Sequence, residues 1–437
     1  MTIDFSADPI LLLSESSDSA EAFRQVVSAA VARHPSLGEA NAAEIEANAA
    51  RGEARSGLFP SGNVTISNYQ VLTRAFSNDP QNVIERSRAQ RRTDATLSLQ
   101  ATVFDFGATR GRIAAATARL VAAQAQTQTA GETVALRAIA SWYDVFAYRS
   151  LTALAGTFQI KQRELRAALE MRVSQEVAAP GDLAQIDGYI SSTDRRVAQF
   201  ARSLATAEAR YAELVGNPPP VQLKRAPVVD LPNYSKEFAI SAALNTPEVA
   251  AADALARAAR ADAKAVRASN LPQITAGIDA GRYGVFETER DYDVRANVTL
   301  RQRLFGGTVS KERQAEARAQ SAKARSERIR EESARDAAIA WSDVQALQTE
   351  LTALRQNYIA ARRTRDVLTE RFRVSRGTIV EIMQIEDNYL QSASSYIQVL
   401  VELDSARYAL LARTGRLLAT LQIDPQQSLK RQWRSDK

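Results

Sequence analysis

The stretch that decides the fold is residues 292–301, which read Tyr-Asp-Val-Arg-Ala-Asn-Val-Thr-Leu-Arg. Apolar and polar side chains alternate along the whole stretch, and this period of two is typical of a β-strand with one apolar and one wetted face. Residues 97–103 and 274–281 show the same alternation. A length of about ten residues suits a tilted strand that crosses a membrane. The pattern therefore predicts either amphipathic hairpins on a soluble body or part of a barrel wall.

In a barrel wall, the apolar face of each strand meets lipid and the polar face meets an aqueous lumen. The charged residues predicted to face such a lumen are Asp279, Asp293, Arg295 and Arg301. The strand signals fall between Pro60 and Gly107 and between Pro272 and Gly306, which gives four strands. Four strands cannot close a barrel, because about eight are the minimum, and an open edge in lipid lacks hydrogen-bond partners. A membrane wall therefore requires several copies of the chain, and three copies give twelve strands.

Each strand pair is followed by a long run without proline, at residues 108–175 and 308–374. Alanine, arginine, glutamine, leucine and glutamate dominate both runs, and all five are good helix formers. At ~1.5 Å per residue, each run predicts a helix of about 100 Å. Apolar positions recur about every 3.5 residues from Ala337 to Tyr358, which is typical of a coiled-coil seam.

The chain contains this pattern twice. Pro60 corresponds to Pro272 at a separation of 212 residues, and Trp142 corresponds to Trp341 at a separation of 199. The matched motifs keep the same order, and chance similarity between alanine-rich helices would not align prolines and tryptophans as well. The proline-rich stretch between the halves breaks both helices and strands. The predicted segments are a flexible N-terminal segment (1–20), a first structural repeat (21–217; strands about 60–106, long helices about 108–216), a proline-rich linker (218–236), a second structural repeat (237–421; strands about 272–305, long helices about 308–421) and a C-terminal tail (422–437).

Composition argues against several classes of function. The chain has no cysteine and one histidine, His34, which excludes disulfides, thiolate zinc sites and cysteine nucleophiles and argues against a Ser-His-Asp triad. Its 56 basic and 50 acidic residues are interspersed, as on solvated helix faces, and do not form a phosphate-binding stripe. No nucleotide-binding glycine motif occurs. We therefore predict no catalytic residue, no metal site, no cofactor and no nucleic-acid partner.

The N-terminus is unusual for an exported protein. Residues 1–20 contain only a short apolar run that begins at Pro9, with acidic residues on both sides and no basic residue before it. No run of ~18 apolar residues occurs anywhere, so no transmembrane helix is predicted. Residues 1–20 are not a secretion signal, and this feature favours a soluble coiled-coil scaffold as an alternative function.

Taken in order, the motifs of the chain resemble those of the TolC family of outer-membrane channel proteins over residues 21–421. The motifs that carry the resemblance are His34-Pro, Leu58-Phe-Pro, Val103-Phe-Asp-Phe-Gly, Tyr211-Ala-Glu-Leu-Val-Gly-Asn-Pro-Pro, Leu304-Phe-Gly-Gly and Arg371-Phe-Arg-Val-Ser-Arg-Gly-Thr-Ile-Val-Glu-Ile. The resemblance implies a mainly α fold with β-barrel strands, in which a duplicated protomer contributes four strands and long coiled-coil helices. It also implies a trimer with an α-helical tunnel and a twelve-stranded β-barrel.

The resemblance implies the outer-membrane channel component of a tripartite export system, not an enzyme. The homotrimer would form a trans-periplasmic exit duct for type I protein secretion, located in outer-membrane lipid and extending through the periplasm. Its implied partners are a periplasmic adaptor (membrane fusion) protein and an inner-membrane transporter, with the ABC type favoured. A drug or small-molecule efflux duct of the same architecture is an alternative. An enzyme is a further alternative, since Glu386 and Asp387 supply carboxylates, but the sequence indicates no convergent site.

The resemblance also implies which residues line the periplasmic entrance, at two turns opposite the strands. The entrance or gate residues are Asp182, Phe372, Arg376, Gly377, Glu381 and Gln384, and the tip-turn residues for adaptor docking are Pro180, Gly181, Ser375 and Thr378. Arg376 suits the family's turn arginine, although strict alignment places Gly377 there. Phe372 stands where the family usually has tyrosine, so it lacks a hydroxyl that could bond Asp182.

Glu381 and Gln384 fall at the positions of the family's acidic constriction. At positions i and i+3 they share one helix face. Gln384 departs from the carboxylate that the resemblance implies. Three copies of Glu381 would still present three negative charges to the lumen and favour cations. The alternative is that both are ordinary exposed helix residues.

Overall fold

The computed structural model describes residues 8–15, 17–73, 90–229, 234–287, 291–373 and 378–425. Its helices are α1 (Pro9–Glu15), α2 (Ala20–Arg33), α3 (Pro35–Ser56), α4 (Ala108–Ser174), α5 (Pro180–Val215), α6 (Lys236–Ala243), α7 (Pro247–Ser269), α8 (Thr308–Arg373), α9 (Ile379–Arg413) and α10 (Leu417–Thr420). Its strands are β1 (Ser61–Gln70), β2 (Arg91–Phe104), β3 (Gln273–Arg282) and β4 (Tyr292–Arg301). The predicted mainly helical fold with two strand pairs is confirmed.

The order of the elements repeats along the chain. The series α2, α3, β1, β2, α4, α5 is followed by the series α6, α7, β3, β4, α8, α9. Contacts nevertheless divide the chain into two structural units that each draw on both halves. The first unit comprises Met1–Asn41, Ala125–Ala250 and Arg328–Lys437, and the second comprises Ala42–Gln124 and Ala251–Glu327. The boundaries of the sequence repeats stay a prediction.

The core of the first unit is built around aromatic residues from α2, α4, α5 and α9. Trp142 is 2% exposed, and its ring meets that of Phe23 edge to face, with the centroids 5.4 Å apart. Its indole Nε1–H donates to the carbonyl of Lys224 at 2.9 Å. The equivalent Trp341 donates to the carbonyl of Tyr234 at 2.7 Å. The two tryptophans of the repeat therefore bind the proline-rich linker near its two ends.

The junctions between strands and long helices depend on glycine and a capping aspartate. Gly107 has a φ of 87°, which residues with a Cβ rarely adopt. Asp105 accepts hydrogen bonds from the backbone N–H of Gly107 at 3.0 Å and of Thr109 at 2.6 Å. These bonds satisfy donors that the first turn of α4 leaves open. Gly306 and Gly307, with φ values of 101° and 77°, stand at the corresponding junction before α8.

The second unit contains one antiparallel sheet in the order β1-β2-β3-β4. One row across all four strands is apolar and consists of Val64, Leu97, Ala280 and Val294. The next row is polar and consists of Asn63, Ser98, Asp279 and Arg295. Since successive side chains of a strand point to opposite faces, the sheet has one apolar face and one polar face. The alternation of apolar and polar residues predicted from the sequence is therefore confirmed. The register of the four strands places the apolar residues of both strand pairs on the same face.

Among the described residues, none of the helices carries an apolar stretch long enough to cross a membrane. Residues 1–20 were expected to be flexible, and the structure has helix α1 within this segment. Asp8 caps this helix by accepting hydrogen bonds from the backbone N–H groups of Ile10 and Leu11 at 2.8 and 3.0 Å.

Candidate functional site

The apolar face of the sheet is exposed in the protomer. Val298 is 77% exposed, Ile66 73% and Val294 64%. A contiguous exposed apolar surface of this kind indicates contact with another protein or with a membrane. Within the described residues, neither β1 nor β4 has a partner strand on its outer edge. The sheet is therefore incomplete on two edges and uncovered on one face.

The polar face of the sheet carries the four charged residues predicted for a lumen. Register places Asp279 opposite Arg295, Gly281 opposite Asp293 and Gln273 opposite Arg301, so all four charges lie on one face. Arg295 forms an ion pair with Asp293 of the same strand. Asn297 Nδ2 donates to the Asp279 carboxylate at 2.8 Å. The lumen role of these residues stays a prediction, and their shared face is consistent with it.

A polar cluster that sequence reasoning missed joins the start of β2 to the segment after β3. The backbone N–H of Val285 donates to the carbonyl of Thr93 at 2.8 Å. The Glu287 carboxylate accepts from the backbone N–H of Thr93 at 3.1 Å, and the Asp94 carboxylate accepts from that of Gly284 at 3.2 Å. These bonds join residues 190 or more positions apart, so no local motif signals them.

The helices α5 and α9 begin with the residues predicted for the entrance and the tip. Pro180 and Gly181 open α5, and the Asp182 carboxylate accepts from the backbone N–H of Ala179 at 3.3 Å. Thr378 caps α9, since its Oγ1 accepts from the backbone N–H of Glu381 at 3.3 Å. Both helix starts therefore have an acidic residue in the first turn, where it complements the helix dipole.

The start of α9 is fixed by apolar packing. Ile382 and Met383 are buried in a cluster with Leu169 of α4 and Ile186 of α5. Glu381 and Gln384 flank the two buried residues and are exposed. Ser375, Arg376, Gly377 and the side chain of Phe372 lie outside the described residues. Among the described residues, the predicted entrance residues Asp182, Glu381 and Gln384 therefore lie at the starts of α5 and α9. Their role in an entrance stays a prediction.

The two carboxylates named for the enzymatic alternative do not meet a common partner. Asp387 pairs with Arg196 at 2.9 Å. Glu386 lines a cavity of about 710 Å³ between α4, α8 and α9, and burial raises the pKa of its carboxyl although Arg365 and Lys161 oppose the shift. Among the described residues, no group of three histidine, aspartate or glutamate side chains is placed to hold a metal ion.

Glu132, in α4, is a partly buried acid that the sequence did not indicate, and it gives a test of the fold. Burial raises the pKa of its carboxyl to about 7 from an ordinary value of 4.5. Because the folded chain binds this proton more tightly, stability is lost as the pH rises from about 4.5 through 7. We expect Glu132→Gln to stabilise the protein at pH 8 by roughly 1–2 kcal/mol, allowing for partial exposure, and hardly at all at pH 4.

Thermal unfolding of the purified protein at the two pH values measures this effect. Glu213→Gln is the matched control, because Glu213 is exposed near the end of α5. A stabilisation by Glu132→Gln that is equal at pH 4 and pH 8 would show that the burial of this carboxyl does not govern its protonation.

The fold and the amphipathic sheet together define a class of protein. The solved outer-membrane protein VceC of Vibrio cholerae superposes with a TM-score of 0.80, over 90% of this chain and 96% of that one, at 18% sequence identity. The chain therefore has the fold of this outer-membrane protein, and the likeness predicted from the sequence motifs is confirmed.

Two sequence relatives each match about three quarters of this chain. The outer membrane efflux protein BepC of Brucella suis is 23% identical over 335 residues, which are 75% of this chain and 74% of BepC. Protein CyaE of Bordetella pertussis is 25% identical over 341 residues, which are 74% of this chain and 71% of CyaE. Residues 240–416 match the family model described as outer membrane efflux protein. This part of the chain is therefore similar to that family.

Proposed function

We propose that three copies of this chain form an export channel in the outer membrane. The observation that carries the proposal is the four-stranded sheet with an exposed apolar face, a polar opposite face and two free edges among the described residues. In hydrocarbon, every backbone N–H and C=O needs a partner, so such a sheet is stable only when its edges pair with neighbouring copies. Twelve strands suffice to close a barrel around an aqueous lumen.

The channel is proposed to be a passive conduit. In the trimer, α4, α5, α8 and α9 of each copy supply the walls of a periplasmic helical tunnel. The energy for export comes from an inner-membrane transporter, which a periplasmic adaptor connects to the channel. The adaptor docks at the turns before α5 and α9, which contain Pro180, Gly181, Ser375 and Thr378.

For the cargo, we propose proteins exported by the type I route, with an ABC transporter as the inner-membrane partner. The support is the resemblance of the sequence motifs over residues 21–421. The likeness to BepC, which is described as an efflux protein, favours small molecules as the second candidate. In cells that lack their own channel, restored secretion of a type I substrate supports the first cargo class. Restored drug resistance without secretion supports the second.

The architecture is tested by the native mass and the membrane fraction of the protein, expressed behind a secretion signal. A heat-sensitive trimer that detergent extracts from the outer membrane supports the channel. A monomer or dimer in the soluble fraction contradicts it and supports the soluble coiled-coil scaffold.

The entrance gives a prediction about ion selectivity. If three copies of Glu381 line a constriction, Glu381→Ala removes three negative charges and lowers the preference for cations. Gln384→Glu adds three charges on the same helix face and raises that preference. The reversal potential in planar bilayers under a KCl gradient measures both changes.

The control for this measurement is Glu213→Ala, which removes an exposed carboxylate from the end of α5 opposite Asp182. We expect the control to leave the reversal potential unchanged. Selectivity that is unaltered by Glu381→Ala and by Gln384→Glu would remove both residues from the constriction.

A further inference from the structure

The short helix α1 is attached to the first unit through a fully buried carboxylate. Asp8 has 0% exposure. Its Oδ1 accepts hydrogen bonds from the backbone N–H of Ile10 at 2.8 Å and of Leu11 at 3.0 Å, and so caps α1. A buried carboxylate is unfavourable unless charges or donors surround it. The cap of α1 therefore depends on what the rest of the chain provides to Asp8.

Helix α8 provides those partners. The Tyr358 hydroxyl lies 2.9 and 2.8 Å from the two Asp8 oxygens, and Arg362 forms an ion pair with the same carboxylate. Tyr358 itself has 0% exposure. One carboxylate thus both caps α1 and binds α8, so the capped helix and its attachment to α8 form together.

The apolar side of α1 lies in a buried cluster with residues of α4 and α9. Ile10 and Leu11 are each 6% exposed. They lie in one cluster with Leu151 of α4 and with Tyr389 and Tyr396 of α9. Helix α1 therefore holds α8 by charge and hydrogen bonds, and α4 and α9 by apolar contact.

The segment that follows α1 is also attached to the first unit, through Arg225. Arg225 donates a hydrogen bond to the carbonyl of Ser14, and the backbone N–H of Asp18 donates to the carbonyl of Arg225 at 2.8 Å. Arg225 is in turn paired with Asp404 of α9. Both ends of the segment from Asp8 to Asp18 are therefore attached to the first unit.

We propose that residues 8–15, which comprise Asp8 and helix α1, act as a latch that fastens α8 to α4 and α9, and that release of Asp8 lets α8 move relative to α9. The effect on transport rests on the proposed channel function, because α8 and α9 flank the predicted entrance. Loss of the Asp8 attachment then loosens the entrance and raises the conductance of the open channel. A segment that is merely docked would leave α8 unchanged when it detaches.

The test uses two latch variants of the full chain and one control. Asp8→Asn removes the charge at nearly constant shape, Leu11→Asp disrupts the apolar contact, and Glu15→Gln changes an exposed residue of the same helix. Hydrogen exchange of the α8 amides at 355–365 is measured in the detergent-solubilised protein. We expect roughly tenfold faster exchange there in both latch variants and no change in the control.

Faster exchange confined to α1, with residues 355–365 as protected as in the unaltered chain, would overturn the latch. If Leu11→Asp does not fold, the exchange rates of the α8 amides in Asp8→Asn alone test the latch. Single-channel recordings supply the second readout, with an expected increase in mean conductance of about twofold for Asp8→Asn. An unaltered chain that carries no current would contradict the channel, whereas the exchange result would still decide whether α8 is fastened by the latch.

Discussion

Asp404→Asn is expected to destabilise the folded chain by about 3–5 kcal/mol, because it leaves the charge of Arg225 buried without its partner. The side chains of Arg225 and Asp404 are only 7% and 1% exposed. The guanidinium donates two hydrogen bonds to the carboxylate, at 2.6 and 2.8 Å. Arg225 comes from the proline-rich linker and Asp404 from α9, so this pair fastens the linker to the first unit.

Urea unfolding measures the loss. The double variant Arg225→Met/Asp404→Leu is expected to recover most of the stability, because replacing a whole buried ion pair by apolar residues is often close to neutral. Glu208→Gln is the matched control. Its pair with Arg149 is partly open to solvent, with exposures of 37% and 26%, and such pairs contribute about 0–1 kcal/mol. Equal losses for Asp404→Asn and Glu208→Gln would contradict this interpretation of the buried pair.

Val298→Arg is expected to prevent formation of the outer-membrane trimer, whereas Thr299→Arg is expected to permit it. The two residues are neighbours on β4 and point to opposite faces of the sheet. An arginine on the lipid face of a barrel, near the bilayer midplane, destabilises the folded protein by about 2–4 kcal/mol. A trimer contains three such arginines, so the destabilisation occurs in every copy. On the polar face the same side chain meets water.

The heat-modifiable trimer band in the outer-membrane fraction distinguishes these outcomes. Val298 is 77% exposed in the protomer, so arginine there does not disturb a packed core. If the chain is instead a soluble scaffold, both positions are simply exposed and both variants assemble alike. Equal amounts of trimer for Val298→Arg and Thr299→Arg would therefore contradict the proposed barrel wall.

The parts of the fold that follow from local periodicity could be predicted from the sequence. The alternation in residues 292–301 predicted the two faces of β4, and pairing with Gln273–Arg282 extends those faces across the sheet. The long runs without proline predicted α4 and α8. The acidic residues after the two turns predicted helix starts, which the structure places at Pro180 and Ile379.

The long-range polar contacts could not be predicted, because nothing in the local sequence indicates a distant partner. Asp8 looks like an acid in front of a short apolar run, yet it binds Tyr358 across 350 positions. Arg225 looks like one more basic residue of a linker, yet it pairs with Asp404 across 179 positions. Such pairs depend on the packing of helices from both halves of the chain.

The most direct test of the central claim is the current that the purified protein carries in planar lipid bilayers. If three copies form a channel, the protein inserts to give stepwise currents of uniform size that favour cations. The Val298→Arg variant, prepared in the same way, then gives no steps. A purified protein that produces no stepwise current, or only irregular leakage that Val298→Arg produces as well, would contradict the export channel.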